Sequence, residues 1–209
     1  MYSQLQQLII GKASLLFYRY GIRSITMDFI ASELGISKRT LYENFKNKEM
    51  LIIACMEETK KEFKQRFDTI MTSDANIIEK IVFCYKVIIE YLNQTSRSFQ
   101  LDVEQLHSKV NEEYEEQREK SNSYIRNLLE GGVKEGLIRS DLNVDIAAAL
   151  HNNQLEWLKK SQHMFTSEHR YGDIVQTILF IFLRGIVTEK GRSILEKIIE
   201  EKFTNNIKK

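Results

Sequence analysis

The segment from Thr26 to Lys48, TMDFIASELGISKRTLYENFKNK, constrains the fold of this chain more than any other. Gly35 suits the left-handed backbone conformation that ends a helix, and Ser37 is a residue type that caps the next one. Thr26 can cap the helix before Gly35 in the same way. Two short helices joined by a tight turn are typical of a helix-turn-helix, whose second helix meets DNA base edges with its N-terminal end.

The composition favours long helices and gives no sign of strands. The 209 residues contain no proline and only nine glycines, so that few positions interrupt a helix. No segment alternates apolar and polar residues over the length of a strand between turn residues. We therefore expect an all-α protein.

Several kinds of protein are not expected from this sequence. No run of about 18 apolar residues is present, so that a membrane-spanning helix and a membrane partner are not expected. The N-terminus lacks the pattern of a secretory signal, and Cys55 and Cys84 are isolated on helical patterns, which together favour a cytoplasmic protein. No phosphate-binding glycine loop, zinc-ligand spacing or nucleophile motif occurs. We therefore expect no catalytic residues, no metal and no other cofactor.

The net charge of +1 hides an uneven distribution of charge along the chain. Residues 1–50 contain seven Lys or Arg against four Asp or Glu, whereas residues 102–120 contain seven acids against three bases. A basic end on a weakly acidic body is typical of a protein that touches DNA with one end.

Helical spacing assigns a direction to the side chains that follow Ser37. At about 100° per residue, Leu41 and Phe45 share one face and should anchor the helix inward. Arg39 and Glu43 then point away from that face. The residues predicted to contact DNA are Thr26, Lys38, Arg39, Thr40, Tyr42 and Lys48.

These residues are suited to different parts of a DNA duplex. Arg39 can bind guanine O6 and N7 with two hydrogen bonds, and Thr40 can meet a thymine methyl group or a phosphate. Lys48 and Thr26 lie at helix starts, where free amides and the helix dipole favour phosphate. Glu43 is repelled by DNA unless it accepts from a cytosine N4 or pairs with Arg39. The alternative is that these are ordinary solvated charges on a three-helix unit.

A second informative segment, residues 174–187, is apolar on almost all sides. Ten of its fourteen residues are Ile, Val, Leu or Phe, so that a helix here must be buried on most of its circumference. One face can meet its own core and the other a second copy of the chain; a central helix of a larger monomer core is the alternative. The residues predicted at the interface between copies are Ile174, Ile178, Ile181 and Phe182.

Residues from about Ile10 to Leu51 resemble the N-terminal domain of TetR-family transcriptional regulators. Two positions depart from the family pattern: Arg39 stands where a small residue is common, and Glu43 is acidic on the DNA side. The matching positions are Leu16, Phe17, Gly21, Thr26, Ile30, Ala31, Gly35, Ile36, Ser37, Thr40, Leu41, Tyr42, Phe45, Lys48 and Leu51.

The resemblance implies a homodimer that binds a double-stranded DNA operator through its third helix, with phosphate contacts at Tyr42 and Lys48. It implies a three-helix helix-turn-helix domain over residues 1–47 and a larger helical regulatory, ligand-binding and dimerisation domain over 48–209. The last long helices would then pair into a four-helix dimer bundle. The expected function is that of a repressor released from its operator by a small-molecule effector. The alternatives are a DNA-binding interaction protein without an effector and a small-molecule-binding protein with an unused DNA domain.

In such regulators effectors bind among the middle helices, where polar and aromatic residues interrupt the apolar faces of this chain. Polar groups on a face that meets the core need partners, and a ligand is one kind of partner. For Gln117 and Ser121, on the helix expected around residues 110–128, exposure to solvent is the commoner explanation. The candidate ligand-binding residues are Tyr85, Phe99, His107, Gln117, Ser121, Tyr124, Asn153 and Trp157, each of which also suits a plain core.

Overall fold

The computed structural model describes the backbone of residues 2–107, 111–160 and 170–202, and the side chains of 2–103, 105, 123–154 and 170–201. Within these ranges the chain forms ten α-helices and no strand, which confirms the all-α prediction. No helix in them is long and apolar enough to cross a membrane. The helices are α1 (Gln4–Tyr20), α2 (Met27–Leu34), α3 (Lys38–Asn44), α4 (Lys48–Met71), α5 (Ile77–Gln94), α6 (Arg97–His107), α7 (Asn111–Lys134), α8 (Val144–Lys160), α9 (Tyr171–Ile186) and α10 (Glu189–Lys202).

The chain forms two compact units. The N-terminal unit comprises Met1–Phe67 and Tyr91–Lys109, and the C-terminal unit comprises Asp68–Glu90 and Val110–Lys209. The N-terminal unit is therefore discontinuous in sequence: it contains α1, α2, α3 and most of α4, and then takes up the last turn of α5 and the whole of α6.

The core of the N-terminal unit joins the first helices to α6. Ile25 and Ile30, which lie on either side of the start of α2, are both buried, as a hydrophobic staple requires. Phe99 of α6 is buried in the same cluster. Tyr18 of α1 packs edge to face on Phe99 and on Tyr91, with ring centroids 4.9 and 5.5 Å apart. These aromatic contacts make α6 an integral part of the unit that holds the helix-turn-helix.

In the C-terminal unit, the turn after α7 is fastened to the turn before α10. The backbone N–H of Arg139 donates to the Ile186 carbonyl at 2.9 Å, and that of Thr188 donates to the Leu137 carbonyl at 3.0 Å. A Cβ on Gly191 would lie 2.2 Å from the Leu137 carbonyl oxygen, so that only glycine allows this approach. The contact fixes the end of α9.

Candidate nucleic-acid interface and regulatory surfaces

Local caps fix the two helices of the helix-turn-helix. Oγ1 of Thr26 accepts a hydrogen bond from the Phe29 N–H at 3.1 Å, and Oγ of Ser37 accepts one from the Thr40 N–H at 3.0 Å. Between them Gly35 has a φ of +66°, the left-handed conformation expected at the end of α2. The predicted helix-turn-helix is thus present, with its caps at the expected residues.

The recognition helix α3 is anchored on one face and open on the other. Leu41 and Phe45 are buried in the core of the N-terminal unit. Arg39 and Glu43 project from the opposite face, and the Arg39 side chain is 88% exposed. The directions assigned from helical spacing agree with the structure, and they leave the N-terminal end of α3 free to enter a groove.

Both cations at the N-terminal end of α3 are paired with carboxylates. Nζ of Lys38 lies 2.6 Å from Oδ2 of Asp28, and Nε of Arg39 lies 2.8 Å from Oε1 of Glu43. The hydrogen bond to Asp28 raises the pKa of Lys38. Because all four side chains are exposed, the pairs are weak and can be exchanged for contacts with phosphate or base edges.

Thr40 and Tyr42 differ in how open they are to a partner. Thr40 is half-buried, and its hydroxyl lies 2.8 Å from Oγ of Ser37, within the cap of α3. Tyr42 is 47% exposed, although it is a large aromatic residue. The predicted phosphate contact at Tyr42 is therefore sterically open, whereas the Thr40 hydroxyl already has a partner.

Lys48 lies in the first turn of α4, directly after the residue that caps this helix. Oδ1 of Asn47 accepts from the Met50 N–H at 2.9 Å, as a capping side chain does. Lys48 is half-buried, and burial lowers its pKa, while the Asp102 carboxylate acts in the opposite direction. A cation at a helix start adds to the free amides and the helix dipole that favour phosphate there.

Asp102 of α6 holds the turn between α1 and α2. Its Oδ2 accepts the backbone N–H of Arg23 at 3.0 Å, and its Oδ1 lies 3.2 Å from Nε of the same residue. Gln105 accepts a further hydrogen bond from the Arg23 guanidinium. A Cβ on Gly21, whose φ is +83°, would lie 2.9 Å from Cβ of Ser98. We call this set of contacts the α6 clasp; it fixes the segment that leads into the helix-turn-helix.

Helices α8 and α9, which pack on each other, each carry exposed apolar side chains. Ile146 and Leu150 are exposed on α8, and Ile181 is 66% exposed on α9. Ile174 and Ile178 are half-buried and follow the same side of α9 as Ile181. We call these five residues the α8–α9 stripe. Single exposed apolar residues are common, but a stripe on two packed helices is typical of an interaction surface.

Phe182, which the sequence also predicts at the interface between copies, is half-buried and contacts the core on one side. Its ring packs on the ring of His151, with centroids 4.4 Å apart and planes at 30°. Helical spacing puts Phe182 on the side of the buried Val175 and Leu179, away from Ile181. Ile146 and Leu150, which sequence reasoning did not single out, add exposed apolar side chains on α8.

The candidate effector residues are divided between the two units. Tyr85 is buried in the C-terminal unit, where its hydroxyl forms a hydrogen bond with Nε2 of His151. Phe99 instead belongs to the core of the N-terminal unit. Tyr124 is partly exposed, and its hydroxyl lies 4.0 Å from Sγ of Cys84.

Asn153 lies on the exposed side of α8 together with Ile146 and Leu150, because residues seven, four and three apart share a helix face. It therefore lies on a different side of α8 from the inward-facing His151. Four further candidates, His107, Gln117, Ser121 and Trp157, have side chains outside the described residues.

Two buried polar atoms of α8 have no hydrogen-bond partner: Nδ1 of His151 and Oε1 of Gln154. His151 is 1% exposed, and burial lowers its pKa to about 4, so that the ring is neutral at pH 7. Sequence reasoning singled out neither residue. The signal that could have found them is the spacing of Ala147, His151 and Gln154, which places two polar side chains in line with a buried alanine.

Both cysteines, Cys55 and Cys84, are free and buried. Burial raises the pKa of the Cys55 thiol to about 11 and raises that of Cys84 as well, so that neither is a reactive thiolate near neutral pH. Among the described residues, no group of three or more His, Cys, Asp or Glu side chains could hold a metal ion.

Comparison with known proteins agrees with this geometry. The profile of bacterial regulatory proteins of the tetR family matches residues 9–55, which include the whole helix-turn-helix. The uncharacterized HTH-type transcriptional regulator YhgD of Bacillus subtilis (strain 168) is 30% identical over 137 residues, which are 64% of this chain and 72% of YhgD. The HTH-type transcriptional repressor KstR2 of Mycolicibacterium smegmatis is 24% identical over 191 residues, 86% of this chain and 89% of its own length.

The same fold occurs in a protein from Saccharomonospora viridis that is assigned as a transcriptional regulator and was solved in complex with choline. It superposes with a TM-score of 0.67 at 19% identity, over 89% of this chain and 99% of its own. The capped helix-turn-helix, its exposed basic end and these likenesses lead to one conclusion: the chain belongs to the TetR family of bacterial regulatory proteins and is a DNA-binding regulator of transcription.

Proposed function

We propose that this protein is a homodimeric repressor that leaves its operator when a small molecule binds to the C-terminal unit. The observation that carries the proposal is the exposed basic N-terminal end of α3. The opposite face of this helix is packed into the core through Leu41 and Phe45. The relative KstR2 is named a repressor, and the Saccharomonospora viridis protein was solved with choline; both support the same roles for this chain. Such a regulator would act on DNA in the cytoplasm.

In this proposal the residues of the DNA-binding surface have separate tasks. Arg39 reads a guanine, since its guanidinium is the most exposed cation of α3 and lies at the end that enters the major groove. Tyr42, Lys48 and Thr26 contact phosphates and so fix the position of α3 without reading sequence. Lys38 exchanges Asp28 for a phosphate or a base edge.

A second copy of the chain covers the α8–α9 stripe in the proposed dimer. Apolar side chains on two packed helices can meet the same two helices of a partner and form a four-helix bundle. Two recognition helices would then read half-sites about one helical turn apart, or a multiple of it. The dimer is thus required for tight binding, since one α3 contacts only one half-site.

Release from DNA follows from a shift between two populations of the dimer. A ligand that binds one conformation of the dimer more tightly than the other increases the population of that conformation. In the conformation that the ligand favours, the spacing of the two recognition helices would no longer fit the operator. A DNA-binding protein without an effector remains the second candidate, because an open basic end on α3 serves either function.

The proposal is tested by fluorescence anisotropy with the duplex that flanks the protein's own gene and with a scrambled duplex, at two salt concentrations. We expect tight binding to the first duplex that weakens with salt, and much weaker binding to the second. Small molecules are then screened for release. Equal, weak binding to both duplexes would contradict regulation at this site, and operator binding that no metabolite weakens would favour the candidate without an effector.

A further inference from the structure

An aromatic and polar cluster lies inside the C-terminal unit, formed by side chains of three helices. Tyr85 of α5 makes a hydrogen bond with Nε2 of His151 on α8, and the ring of Phe182 on α9 packs on the imidazole at 4.4 Å. The imidazole is thus held at one nitrogen and along one face. These two contacts fix the orientation of the ring, and therefore also the direction in which its other nitrogen, Nδ1, points.

Two polar atoms beside this cluster are buried and unpartnered. They are Nδ1 of His151 and Oε1 of Gln154, which lie three residues apart and hence on the same inward face of α8. His151 is almost completely buried, and native proteins pair most of their buried polar atoms. A ligand group that both donates and accepts would therefore gain hydrogen bonds beside these two atoms.

We propose that Nδ1 of His151 and Oε1 of Gln154 form the polar anchor of the effector site, and that the effector is an uncharged, largely apolar molecule carrying a hydroxyl or amide group. The inference rests on the proposed release by a small molecule and names the chemistry that this molecule must have.

The hydrogen-bonding pattern of the anchor decides the chemical class. The phenol hydrogen of Tyr85 needs an acceptor, and Nε2 is the atom beside it, so that the imidazole proton sits on Nδ1. The anchor thus offers one donor, the N–H at Nδ1, and one acceptor, Oε1 of Gln154. A hydroxyl or an amide both donates and accepts, and can satisfy the two atoms together.

Charged head groups do not fit this site. An ammonium only donates, so that it would face the N–H of His151. A carboxylate could accept from that N–H and, after rotation of the amide, from Nε2 of Gln154, but its charge would be buried. Among the described side chains, no Lys, Arg, Asp or Glu is buried, and His151 is neutral at pH 7. A buried charge on the ligand would have no counter-charge in this part of the chain.

The test compares four probes that share one eight-carbon chain: octanol, octanamide, octanoate and octylammonium. The measurement is the melting temperature Tm by differential scanning fluorimetry, for the wild-type protein and for Gln154→Leu. We expect octanol and octanamide to raise the Tm of the wild type by several degrees, and the two charged probes to leave it unchanged. In Gln154→Leu the shift should be lost, while the Tm without probe stays the same or rises, since an unpaired acceptor has been removed.

Two further variants separate the anchor from general effects. Asn153→Leu changes the neighbouring residue on the exposed side of α8 and should keep the full shift. The double variant Tyr85→Phe/His151→Phe keeps two aromatic rings in place of the hydrogen-bonded pair and should lose the shift as Gln154→Leu does.

The proposal is overturned if a charged probe matches octanol, if Gln154→Leu keeps the shift, or if no neutral probe moves the Tm. Operator binding, measured by anisotropy without any probe, reports separately on the proposed repressor. If octanol raises the Tm through Gln154 but leaves operator binding unchanged, the anchor stands and the release mechanism fails.

Discussion

Arg39 and Glu43 lie one helical turn apart on the open face of α3, with Nε of Arg39 2.8 Å from Oε1 of Glu43. In the free protein the cation that should read a base is thus already engaged by a carboxylate. A phosphate must compete with Glu43 for this guanidinium, whereas a guanine can accept from it in an orientation that the carboxylate helps to fix. If Arg39 reads a guanine as proposed, Glu43 should therefore discriminate against DNA that offers only phosphates.

Glu43→Gln should increase binding to scrambled DNA and reduce discrimination. With the carboxylate gone, Arg39 is free to contact one more phosphate, and the slope of log K against log salt should steepen by about 0.9. Anisotropy titrations over a salt series measure this slope. Glu130→Gln is the matched control, since Glu130 pairs with Arg126 at the same spacing on α7. An unchanged slope in Glu43→Gln would contradict the role of Glu43.

Arg39→Ala and Lys48→Ala should weaken DNA binding in different ways. Loss of a base contact at Arg39 should reduce operator affinity by roughly 1–3 kcal/mol and relax the preference at one position. Loss of the phosphate contact at Lys48 should weaken binding to all sequences alike. Selection of bound duplexes from a random pool, followed by titration, distinguishes the two. The reverse pattern would show that the roles have been assigned to the wrong residues.

Asp102→Ala should destabilise the protein by about 1–3 kcal/mol and weaken operator binding. The larger part of the loss comes from the backbone N–H of Arg23, which loses its charged acceptor on the Asp102 side chain, itself only 11% exposed. The exposed guanidinium contributes less. Urea unfolding gives the stability, and anisotropy gives the affinity. Asp102→Asn keeps one acceptor and should lose less, and Asp74→Ala, in the exposed turn after α4, should change neither.

How far the sequence predicts the structure depends on how many positions separate two interacting residues along the chain. The caps at Thr26 and Ser37 bond to an N–H three residues away, so that a short window of sequence contains the whole interaction. The α6 clasp joins residues 79 positions apart, and Tyr85 lies 66 positions from His151. Such pairs depend on how helices pack, which no local pattern records.

The same limit explains the assignment of Phe182 to the interface. The segment 174–187 is so apolar that spacing alone cannot show which of its faces is covered by the chain's own core. The packing of Phe182 on His151 shows which side of Phe182 meets the core, and Ile181 points to solvent. The exposed partner stripe on α8 is likewise visible only once α8 and α9 are seen together.

Ile181→Asp should convert the proposed dimer to monomers. A carboxylate in the middle of the α8–α9 stripe would have to be buried without a partner, which should weaken association by roughly 2 kcal/mol or more. Sedimentation equilibrium measures the mass in solution. Leu15→Asp is the matched control, because Leu15 on α1 is exposed to the same 66% as Ile181 but lies outside the stripe. Equal masses for both variants and the wild type would place the interface elsewhere.

Stability should fall in mildly acidic solution because of His151. Burial lowers its pKa to about 4 in the folded protein, whereas an exposed histidine titrates near 6.5. The unfolded chain therefore binds this proton first, and stability is lost as the pH falls from about 6.5 to about 4, by roughly 3 kcal/mol in all.

His151→Phe removes this contribution. The difference in free energy of unfolding between wild type and variant should change between about pH 6.5 and about pH 4. Above pH 7.5 the difference should stay constant, even if the substitution itself changes stability. Tyr85→Phe retains the imidazole and should keep the pH dependence. Parallel curves for wild type and His151→Phe would contradict the prediction.

The discontinuous N-terminal unit has a consequence for the order in which the protein matures on the ribosome. When the first four helices have been synthesised, the recognition helix exists, but α6 does not. Until Phe99 and Asp102 emerge, Tyr18 lacks its aromatic cover and Arg23 lacks its acceptor. A polypeptide that terminates before α6 would carry α3 without the contacts that hold the segment leading into the helix-turn-helix.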